Sequence, residues 1–337
     1  MSVRLSCLSC LLLFAAPLLA GYEQRPEVRD FIATMADRHG FSSSELQGLF
    51  ARIQPRREVL EAISRPAEAR PWHRYRPIFL TERRIREGAE FLRHNRASLA
   101  RAEAGYGVPA ELITAILGVE TFYGRHRGRH PVLASLTTLA FDYPQRGRFF
   151  RGELEQFLLL AREEDMDPLS ALGSYAGAMG QPQFIASSFR HYAVDFDGDG
   201  RRDIWNSTAD AIGSIANYLQ RHGWQRDAAV AVPARVEGNE YGKFVYRKRP
   251  RKPAHTVSEL QRHGIRSVRP LAEDTRAALL ALETESGPEY WLTFTNFHVI
   301  TRYNHSPLYA MAVYQLSREI SALAKETGSG ELAAHGH

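Results

Sequence analysis

The chain is organised around one short stretch, Gly118-Val119-Glu120-Thr121-Phe122-Tyr123-Gly124. It ends a predicted helix that begins at Pro109, a residue suited to a first helical turn because its missing N–H has no partner there. The apolar residues of that helix recur on one face at helical spacing: Leu112, Ile113, Ile116 and Leu117. Glu120 therefore falls in the last turn, just before aromatic residues and a glycine that can end the helix.

A carboxylate at this end of a helix does not stabilise it. The negative end of the helix dipole repels the charge, and apolar neighbours disfavour the ionised form. Both effects predict a raised pKa for Glu120, as suits a carboxylic acid that donates a proton near neutral pH. Position alone favours a plainer interpretation, a surface glutamate at a frayed helix end. The other motifs of the chain reverse that preference.

The N-terminus has the pattern of a secretory signal, with an apolar core at Leu11–Leu19 and a cleavage site near Ala20. The apolar run is too short for a membrane-spanning helix. Cys7 and Cys10 precede the apolar core, so neither is placed to carry a lipid anchor. We therefore expect an exported, periplasmic protein without a stable membrane span, whose mature chain has neither disulfides nor thiols.

The composition is mildly basic, with a net charge of +5 over 337 residues, enough chain for more than one domain. Such a charge suits an anionic partner, for example a cell wall that carries carboxylates. The arginines are spread along the sequence rather than concentrated on one stripe, and this argues against nucleic acid as the partner.

The pattern of apolar residues and turn signals predicts a mainly α (α+β) fold. An arm punctuated by three prolines, Pro66–Pro77, is expected to be extended and carries Tyr75. A last helix begins at Ser306-Pro307, and its inward face is predicted to include Tyr309. The predicted regions are a signal peptide (1–20), an N-terminal helical region and arm (21–75), a helical core (76–224), a small β-containing subdomain (225–296), a C-terminal segment returning to the core (297–325) and a disordered tail (326–337).

A second run, Ser174–Phe184, is rich in glycine and alanine, which let two backbones approach closely. The sequence predicts that a helix opened by Asp167-Pro168 runs into it. The run is either a tight helix contact or the floor of a ligand cleft. On the second interpretation, Ser174 and Gln183 supply a hydroxyl and an amide to the ligand.

A third motif begins at Asp195, where oxygen ligands at positions one, three and five and a glycine at six match the start of an EF-hand calcium loop. The match is incomplete because position twelve is Asn206 instead of glutamate. The predicted ligands are the side chains of Asp195, Asp197, Asp199 and Asp210 and the carbonyl of Arg201. The alternative is a solvated Asp/Gly turn, in which the arginines of the loop compensate the carboxylates.

With these motifs in this order, the sequence resembles the lytic murein transglycosylase B family, exported enzymes that cleave the glycan strands of peptidoglycan. The similarity runs from about Pro71 to Lys325. Its most specific parts are Gly118–Gly124, Ser174–Phe184 with Ser187-Ser188, Asp210–Tyr218 and Ile300–Asn304. The resemblance implies a lysozyme-like helical core with an additional helical region and a small β-containing subdomain.

The resemblance also implies roles for single residues. The catalytic glutamate of the family falls on Glu120, and its calcium loop falls on Asp195–Asp203 with Asp210 as the late ligand. The implied substrate-binding residues are Tyr75, Ser174, Met179, Gln183, Phe184, Tyr218, Tyr303 and Asn304. Some members carry a lipid anchor; without a suitable cysteine this chain is expected to be a soluble periplasmic monomer.

Cleavage of a β-1,4 glycosidic bond usually takes two carboxylates. Asp142, Glu163 and Glu164 are available, but nothing in the sequence aims them at Glu120. A single glutamate suffices when the C6 hydroxyl of N-acetylmuramic acid attacks its own C1 and leaves a 1,6-anhydro end, with no cofactor for the chemistry. Two alternatives stay open: a hydrolytic muramidase with the same cleft, and a non-catalytic wall-binding protein.

Overall fold

The computed structural model describes residues 21–64 and 70–334, with side chains through residue 326. The predicted signal peptide at 1–20 lies outside the described residues, as does part of the predicted arm, 65–69. Two compact units make up the chain, one ending at Arg56 and one beginning at Arg57. Within the described residues, no helix is long and apolar enough to cross a lipid bilayer.

The described chain contains fourteen α-helices and eight short β-strands. The helices are α1 (Pro26–His39), α2 (Ser43–Ala51), α3 (Arg57–Ile63), α4 (Trp72–Phe79), α5 (Glu82–His94), α6 (Arg96–Tyr106), α7 (Ala110–Thr121), α8 (Val132–Asp142), α9 (Gly147–Glu163), α10 (Ala186–Tyr192), α11 (Thr208–Arg221), α12 (Val257–Arg262), α13 (Thr295–Tyr303) and α14 (Pro307–Ala334). The strands are β1 (His130–Pro131), β2 (Leu172–Gly173), β3 (Ala231–Val236), β4 (Val245–Tyr246), β5 (His255–Thr256), β6 (Ile265–Ser267), β7 (Arg276–Thr284) and β8 (Gly287–Thr293).

The first unit is a pair of helices, α1 and α2, after a short 3₁₀ turn. The Ser42 hydroxyl caps α2 by accepting the backbone N–H of Glu45, as the run of serines predicts. Phe31 on α1 and Phe50 on α2 meet edge to face, with ring centroids 6.0 Å apart. Both rings are buried, so an aromatic contact between the two helices forms part of the core of this unit.

In the second unit, α7 is the central helix of the α-helical part, packed by α5, α6, α11 and α14. Every residue from Leu112 to Gly118 is buried. A helix that is apolar on all sides belongs in the middle of a core rather than on its surface. The C-terminal turn of α7, which includes the half-buried Glu120, therefore lies against the core of the unit.

The β region is a sheet in the order β4-β7-β8-β3-β6, antiparallel except for the β4–β7 pair. The strands β7 and β8 form a hairpin with Thr284 opposite Gly287. One core of the sheet is formed by apolar residues of β3, α12, β6, β7 and β8: Val232, Leu260, Ile265, Ala277, Leu279 and Leu292. The predicted fold class, mainly helical with a small β-containing region, is confirmed.

The predicted extended arm is wrong where the structure describes it. Trp72–Phe79 is the helix α4, with Pro77 inside its last turn. Trp72 and Tyr75 lie three residues apart and are both buried, so the gain from burying one helical face outweighs the proline. Because α4 packs on α14 and β7, it belongs to the second unit, and the division at Arg56/Arg57 differs from the predicted boundary at residue 75.

Two further predictions differ from the structure. The predicted helix opened by Asp167-Pro168 is absent: this segment is a turn, followed by β2 and irregular chain through Ile185. Gly177 and Gly180 have φ of 80° and 66°, left-handed values that end a helix.

At the C-terminus, α14 continues to Ala334 where a disordered tail was predicted over 326–337. Extending an established helix adds a hydrogen bond for each residue fixed.

Candidate active site

The helix α7 ends in a tight left-handed turn, and Glu120 lies in its last helical turn as predicted. Phe122, Tyr123 and Gly124 have φ of 52°, 61° and 83°. Left-handed backbone at a residue other than glycine is sparsely populated and costs about 1–3 kcal/mol. Two consecutive aromatic residues in this conformation therefore need support from their surroundings.

Side-chain contacts hold this turn in place. The Tyr123 hydroxyl donates to the carbonyl of Arg84 at 2.6 Å, and burial raises the pKa of Tyr123 well above its usual value. The Arg84 guanidinium lies 4.9 Å from the centroid of the Phe122 ring. In turn, Arg84 Nε donates to the carbonyl of Gly118 inside α7. The turn that follows Glu120 is thus fixed to α5 at several points.

Thr121 connects α7 to the glycine-rich run. Its hydroxyl donates to the carbonyl of Gln181 at 2.9 Å and accepts the N–H of Gly124 at 3.0 Å. A second connection runs through the chain before β1: a Cβ at Gly128 would lie 2.0 Å from the carbonyl oxygen of Gly173, so only glycine fits there. The run Ser174–Phe184 is therefore held against the end of α7. Its role as the floor of a ligand cleft stays a prediction.

Glu120 has a buried partner, Tyr309, which the sequence predicts only as a residue on the inward face of the last helix. The Tyr309 hydroxyl donates to Glu120 Oε1 at 2.6 Å, and Tyr309 is 2% exposed. Burial, reinforced by the negative charge of Glu120, raises the pKa of Tyr309 well above its usual value. Tyr309 therefore stays protonated and serves as a hydrogen-bond donor to the half-buried carboxylate.

An aromatic wall, defined as Phe184, Tyr218, Tyr303 and Tyr309, extends from this hydrogen bond. Tyr303 lies parallel to Tyr309 at 6.4 Å and meets Tyr218 edge to face at 4.9 Å. Phe184 contacts both Tyr218 and Tyr303, at 5.6 and 5.8 Å. Each tyrosine of the wall is anchored by its hydroxyl, Tyr218 to the carbonyl of Arg302 and Tyr303 to that of Pro182, both at 2.6 Å.

The polar residues predicted for the cleft keep part of their hydrogen-bonding capacity. Ser174 Oγ accepts the N–H groups of Ala176 and Ala178, which leaves its own O–H as a donor. Gln183 uses its amide N–H₂ on the carbonyls of Gly180 and Arg127, which leaves its amide oxygen as an acceptor. Ser174 and Gln183 thus stabilise the backbone of this run, and their binding of a ligand stays a prediction.

Other predicted binding residues have different surroundings. Met179 and Phe184 are buried, and Met179 joins the floor through bridges to Gly173 and Phe184. Tyr75 is 2% exposed and lies between the Trp72 and Phe79 rings. Asn304 is half-buried at the C-terminal end of α13, next to Tyr303. A role in binding stays a prediction for each of them.

Two of the acidic residues that could have served as a second carboxylate are engaged elsewhere. Glu163 forms an ion pair with Arg190 at 2.6 Å, and this hydrogen bond lowers the pKa of Glu163 below its usual value. Glu164 forms an ion pair with Arg202. These two carboxylates are therefore engaged in ion pairs of their own, away from Glu120.

The aspartate loop brings three carboxylates together. One oxygen each of Asp195, Asp197 and Asp210 lies within 4.8 Å of the others. Asp210 is fully buried and accepts three backbone N–H groups of the loop. Asp199 lies outside this group, with its carboxylate accepting the N–H of Arg201. Since Arg202 is paired with Glu164, it does not neutralise the cluster.

A glutamate at a helix end, backed by a buried phenol and bordered by an aromatic wall, has the chemistry of a proton donor in an enzyme that cleaves glycans. Residues 23–318 match the family described as transglycosylase SLT domain. Over 314 residues the chain is 41% identical to membrane-bound lytic murein transglycosylase B of Escherichia coli (strain K12), covering 90% of this chain and 85% of that protein.

Solved structures agree with this match. The catenated lytic transglycosylase SltB1 from Pseudomonas aeruginosa superposes with a TM-score of 0.85 at 48% identity, over 90% of this chain and 99% of that one. The Escherichia coli lytic transglycosylase Slt35 in complex with calcium gives 0.80 at 41%, over 89% and 94%. SltB3 from Pseudomonas aeruginosa, in complex with NAG-NAM-pentapeptide, gives 0.78 at 34%, over 90% and 80%. The chain therefore belongs to the family of SLT-domain transglycosylases, lysozyme-like enzymes that act on peptidoglycan.

Proposed function

We propose that this enzyme cleaves the β-1,4 bond between N-acetylmuramic acid and N-acetylglucosamine, with Glu120 acting first as acid and then as base. Glu120 protonates the bridging oxygen as the C1–O bond breaks. Its carboxylate then takes the proton of the C6 hydroxyl as that oxygen bonds to C1 of the same sugar. The products are a strand with a free hydroxyl and a strand that ends in 1,6-anhydromuramic acid, and no water is consumed.

The observation that carries this proposal is the hydrogen bond from Tyr309 to Glu120. A buried phenol that remains protonated stabilises the carboxylate at the moment the proton leaves it. An inverting hydrolase needs a second carboxylate about 6.5–9.5 Å away to activate water. Two of the three acidic residues named as candidates for that role, Glu163 and Glu164, are held by arginines on other elements, which supports attack by the sugar's own hydroxyl.

The remaining residues of the cleft fit a glycan ligand. Tyr303, the half-buried member of the aromatic wall, offers ring surface, while Ser174 and Gln183 offer one donor and one acceptor for hydroxyl and acetamido groups. A related enzyme has been solved with NAG-NAM-pentapeptide, which supports glycan strands bearing peptide stems as the substrate here. We place the enzyme outside the cytoplasm, on the side of the membrane where peptidoglycan lies.

Digestion of insoluble peptidoglycan in ¹⁸O-labelled water tests the reaction. We expect 1,6-anhydromuropeptides without label as the main product, because the attacking oxygen comes from the sugar. Intramolecular attack is also favoured by proximity, with effective molarities of ~10⁵ M or more. Mass spectrometry of the released muropeptides measures the outcome, with a hydrolytic lysozyme as the control that must incorporate label. Reducing ends two mass units heavier, with few anhydro ends, would establish the muramidase alternative instead.

We also propose that the aspartate loop holds a structural calcium ion. Three carboxylates, one of them fully buried, form the oxygen-rich site that a hard cation prefers. The ligands would include Asp195, Asp197 and Asp210, and the ion would stabilise the start of α11 without taking part in the chemistry. The related Slt35 was solved in complex with calcium, which supports this assignment.

Calcium should raise the melting temperature of the protein, and Asp197→Ala should remove the response. A ligand that binds only the native state at about 100 times its Kd adds ~2.7 kcal/mol of stability. If Kd is ~10⁻⁴ M, as in extracellular calcium modules, ~10 mM calcium suffices, and the shift for a chain of this length is about 4 °C. Differential scanning fluorimetry with calcium and with a chelator measures it. Asp274→Ala, in an exposed turn, is the control and should keep the response. A wild-type protein whose melting temperature does not change with calcium would refute the site.

A further inference from the structure

A second cavity, of about 300 Å³, lies where the sheet meets α4 and α14. We call it the arginine cleft and define it by Trp291 and Tyr314, which form its aromatic floor, and by Arg76, Arg269 and Arg318 around it. None of these residues is assigned to the glycan site. Its volume is at the lower end of the range for small-ligand sites.

The floor of the arginine cleft is firmly built. Trp291 on β8 pairs with Pro233 on β3, and Tyr314 on α14 donates its hydroxyl to the carbonyl of Ala231 at 2.9 Å. The Trp291 and Tyr314 rings meet edge to face at 6.4 Å and 87°. The sheet is thus fixed to α14, and the shape of the cleft follows from packed side chains of both.

The charge of the cleft is positive, with three arginines against one acidic lining residue, Glu319. Arg76 is oriented along α14, since its Nε donates to Gln315 Oε1 at 2.8 Å. Within the part of the chain that the structure describes, neither Arg269 nor Arg318 forms an ion pair, and both are exposed. An exposed guanidinium group without an ion-pair partner can bind a carboxylate through a pair of parallel hydrogen bonds.

We propose that the arginine cleft binds the carboxylates of the short acidic peptide stems that peptidoglycan strands carry. This inference rests on the proposed function, because the stems belong to its substrate. A neutral sugar calls for amides and hydroxyls, such as Ser174 and Gln183 in the cleft of Glu120. The arginine cleft offers guanidinium groups above an aromatic floor, which fits carboxylates joined by a short apolar backbone.

The position of the cleft connects it to the catalytic centre. Arg318 follows Tyr309 by nine residues on α14, which is ~14 Å along the helix axis and about half a turn around it, so the two side chains leave the helix on opposite sides. Arg76 follows Tyr75 in sequence, and the side chain of Tyr75 is close enough to Tyr309 to contribute to its raised pKa. The arginine cleft is therefore built on the two helices that also carry Tyr75 and Tyr309, α4 and α14.

Binding should be measured with the full chain, and the active enzyme can be used because a peptide without sugars has no glycosidic bond to cleave. The probe is a synthetic stem tetrapeptide with free carboxylates, compared with the same peptide fully amidated, by calorimetry at low salt. We expect the free acid to bind at least 10-fold more tightly than the amide. The double change Arg269→Gln and Arg318→Gln should weaken its binding by at least 10-fold. Arg235→Gln, an exposed arginine on β3 outside the cleft, is the matched control and should have no effect.

Cleavage in the otherwise wild-type chain gives a second test. The double change should raise KM for peptide-bearing strands several-fold and leave kcat/KM for peptide-free glycan strands unchanged. Equal binding of the acid and the amide, or binding of the acid unaffected by the double change, would overturn the assignment. So would equal loss of cleavage on both kinds of strand. Because the binding assay does not depend on turnover, it can fail or succeed independently of the proposed reaction.

Discussion

Replacing Glu120 by glutamine should abolish glycan cleavage while fold and strand binding stay nearly intact. The amide keeps the size of the side chain and can still accept the hydrogen bond from Tyr309, but it cannot donate a proton to the leaving oxygen. Loss of a general acid typically costs ~10²-fold or more in rate. Here the same group also serves as the base, so we expect a loss of at least ~10³-fold in kcat, measured by release of soluble muropeptides.

The matched control is Glu111→Gln, the same chemical change in the first turn of the same helix. There the carboxylate interacts favourably with the helix dipole, and its loss costs about 0.3–1 kcal/mol of stability without touching the reaction. Glycan binding by the Glu120→Gln protein confirms that the cleft is intact. If that protein turned over at a rate near the wild type, Glu120 would not be the acid.

Tyr309→Phe should lower kcat by about 10- to 100-fold with little change in KM. The ring is buried and phenylalanine fills the same space, so the change removes only the donor to Glu120 Oε1. A hydrogen bond to a charged group contributes ~1.5–3 kcal/mol. Here it favours the anion that forms as Glu120 releases its proton, so its loss raises the barrier more than it weakens binding.

A buried tyrosine in the β region provides the control. The Tyr246 hydroxyl bonds Thr293 Oγ1 at 2.9 Å, between two neutral groups far along the chain from Glu120. Tyr246→Phe should cost about 1 kcal/mol of stability and leave kcat and KM unchanged. A Tyr309→Phe protein whose KM rises at constant kcat would show instead that the phenol acts on substrate binding, and would argue against its role beside the acid.

The local signals were sufficient for the centre of the molecule. Pro109 and the apolar spacing behind it predict α7 to within a residue, and the glycine and aromatic residues after Glu120 predict where it ends. These features depend on neighbours a few residues apart, and burial then reinforces them. The aspartate spacing likewise predicts the loop that brings Asp195 and Asp197 together, because both lie within one turn of chain.

Local signals failed where distant packing outweighs them. Three prolines predict an extended arm, but α4 forms because Trp72 and Tyr75 are buried on one helical face. The run after Asp167-Pro168 has a helix-start signal, yet the left-handed glycines that line the cleft floor exclude a helix there. In both segments, contacts with other elements contribute more free energy than intrinsic propensity does.

The sequence by itself determined the helix that presents Glu120, the fold class and the family resemblance, because these depend on short-range spacing and on motif order. The tertiary structure alone decided which groups surround Glu120. Tyr309 lies 189 residues away in sequence and was predicted only as part of an apolar helix face. The arginine cleft likewise combines residues of β8, α4 and α14. These contacts between residues distant in sequence depend on the packing of α14 on α7 and on the sheet. No local sequence pattern predicts that packing.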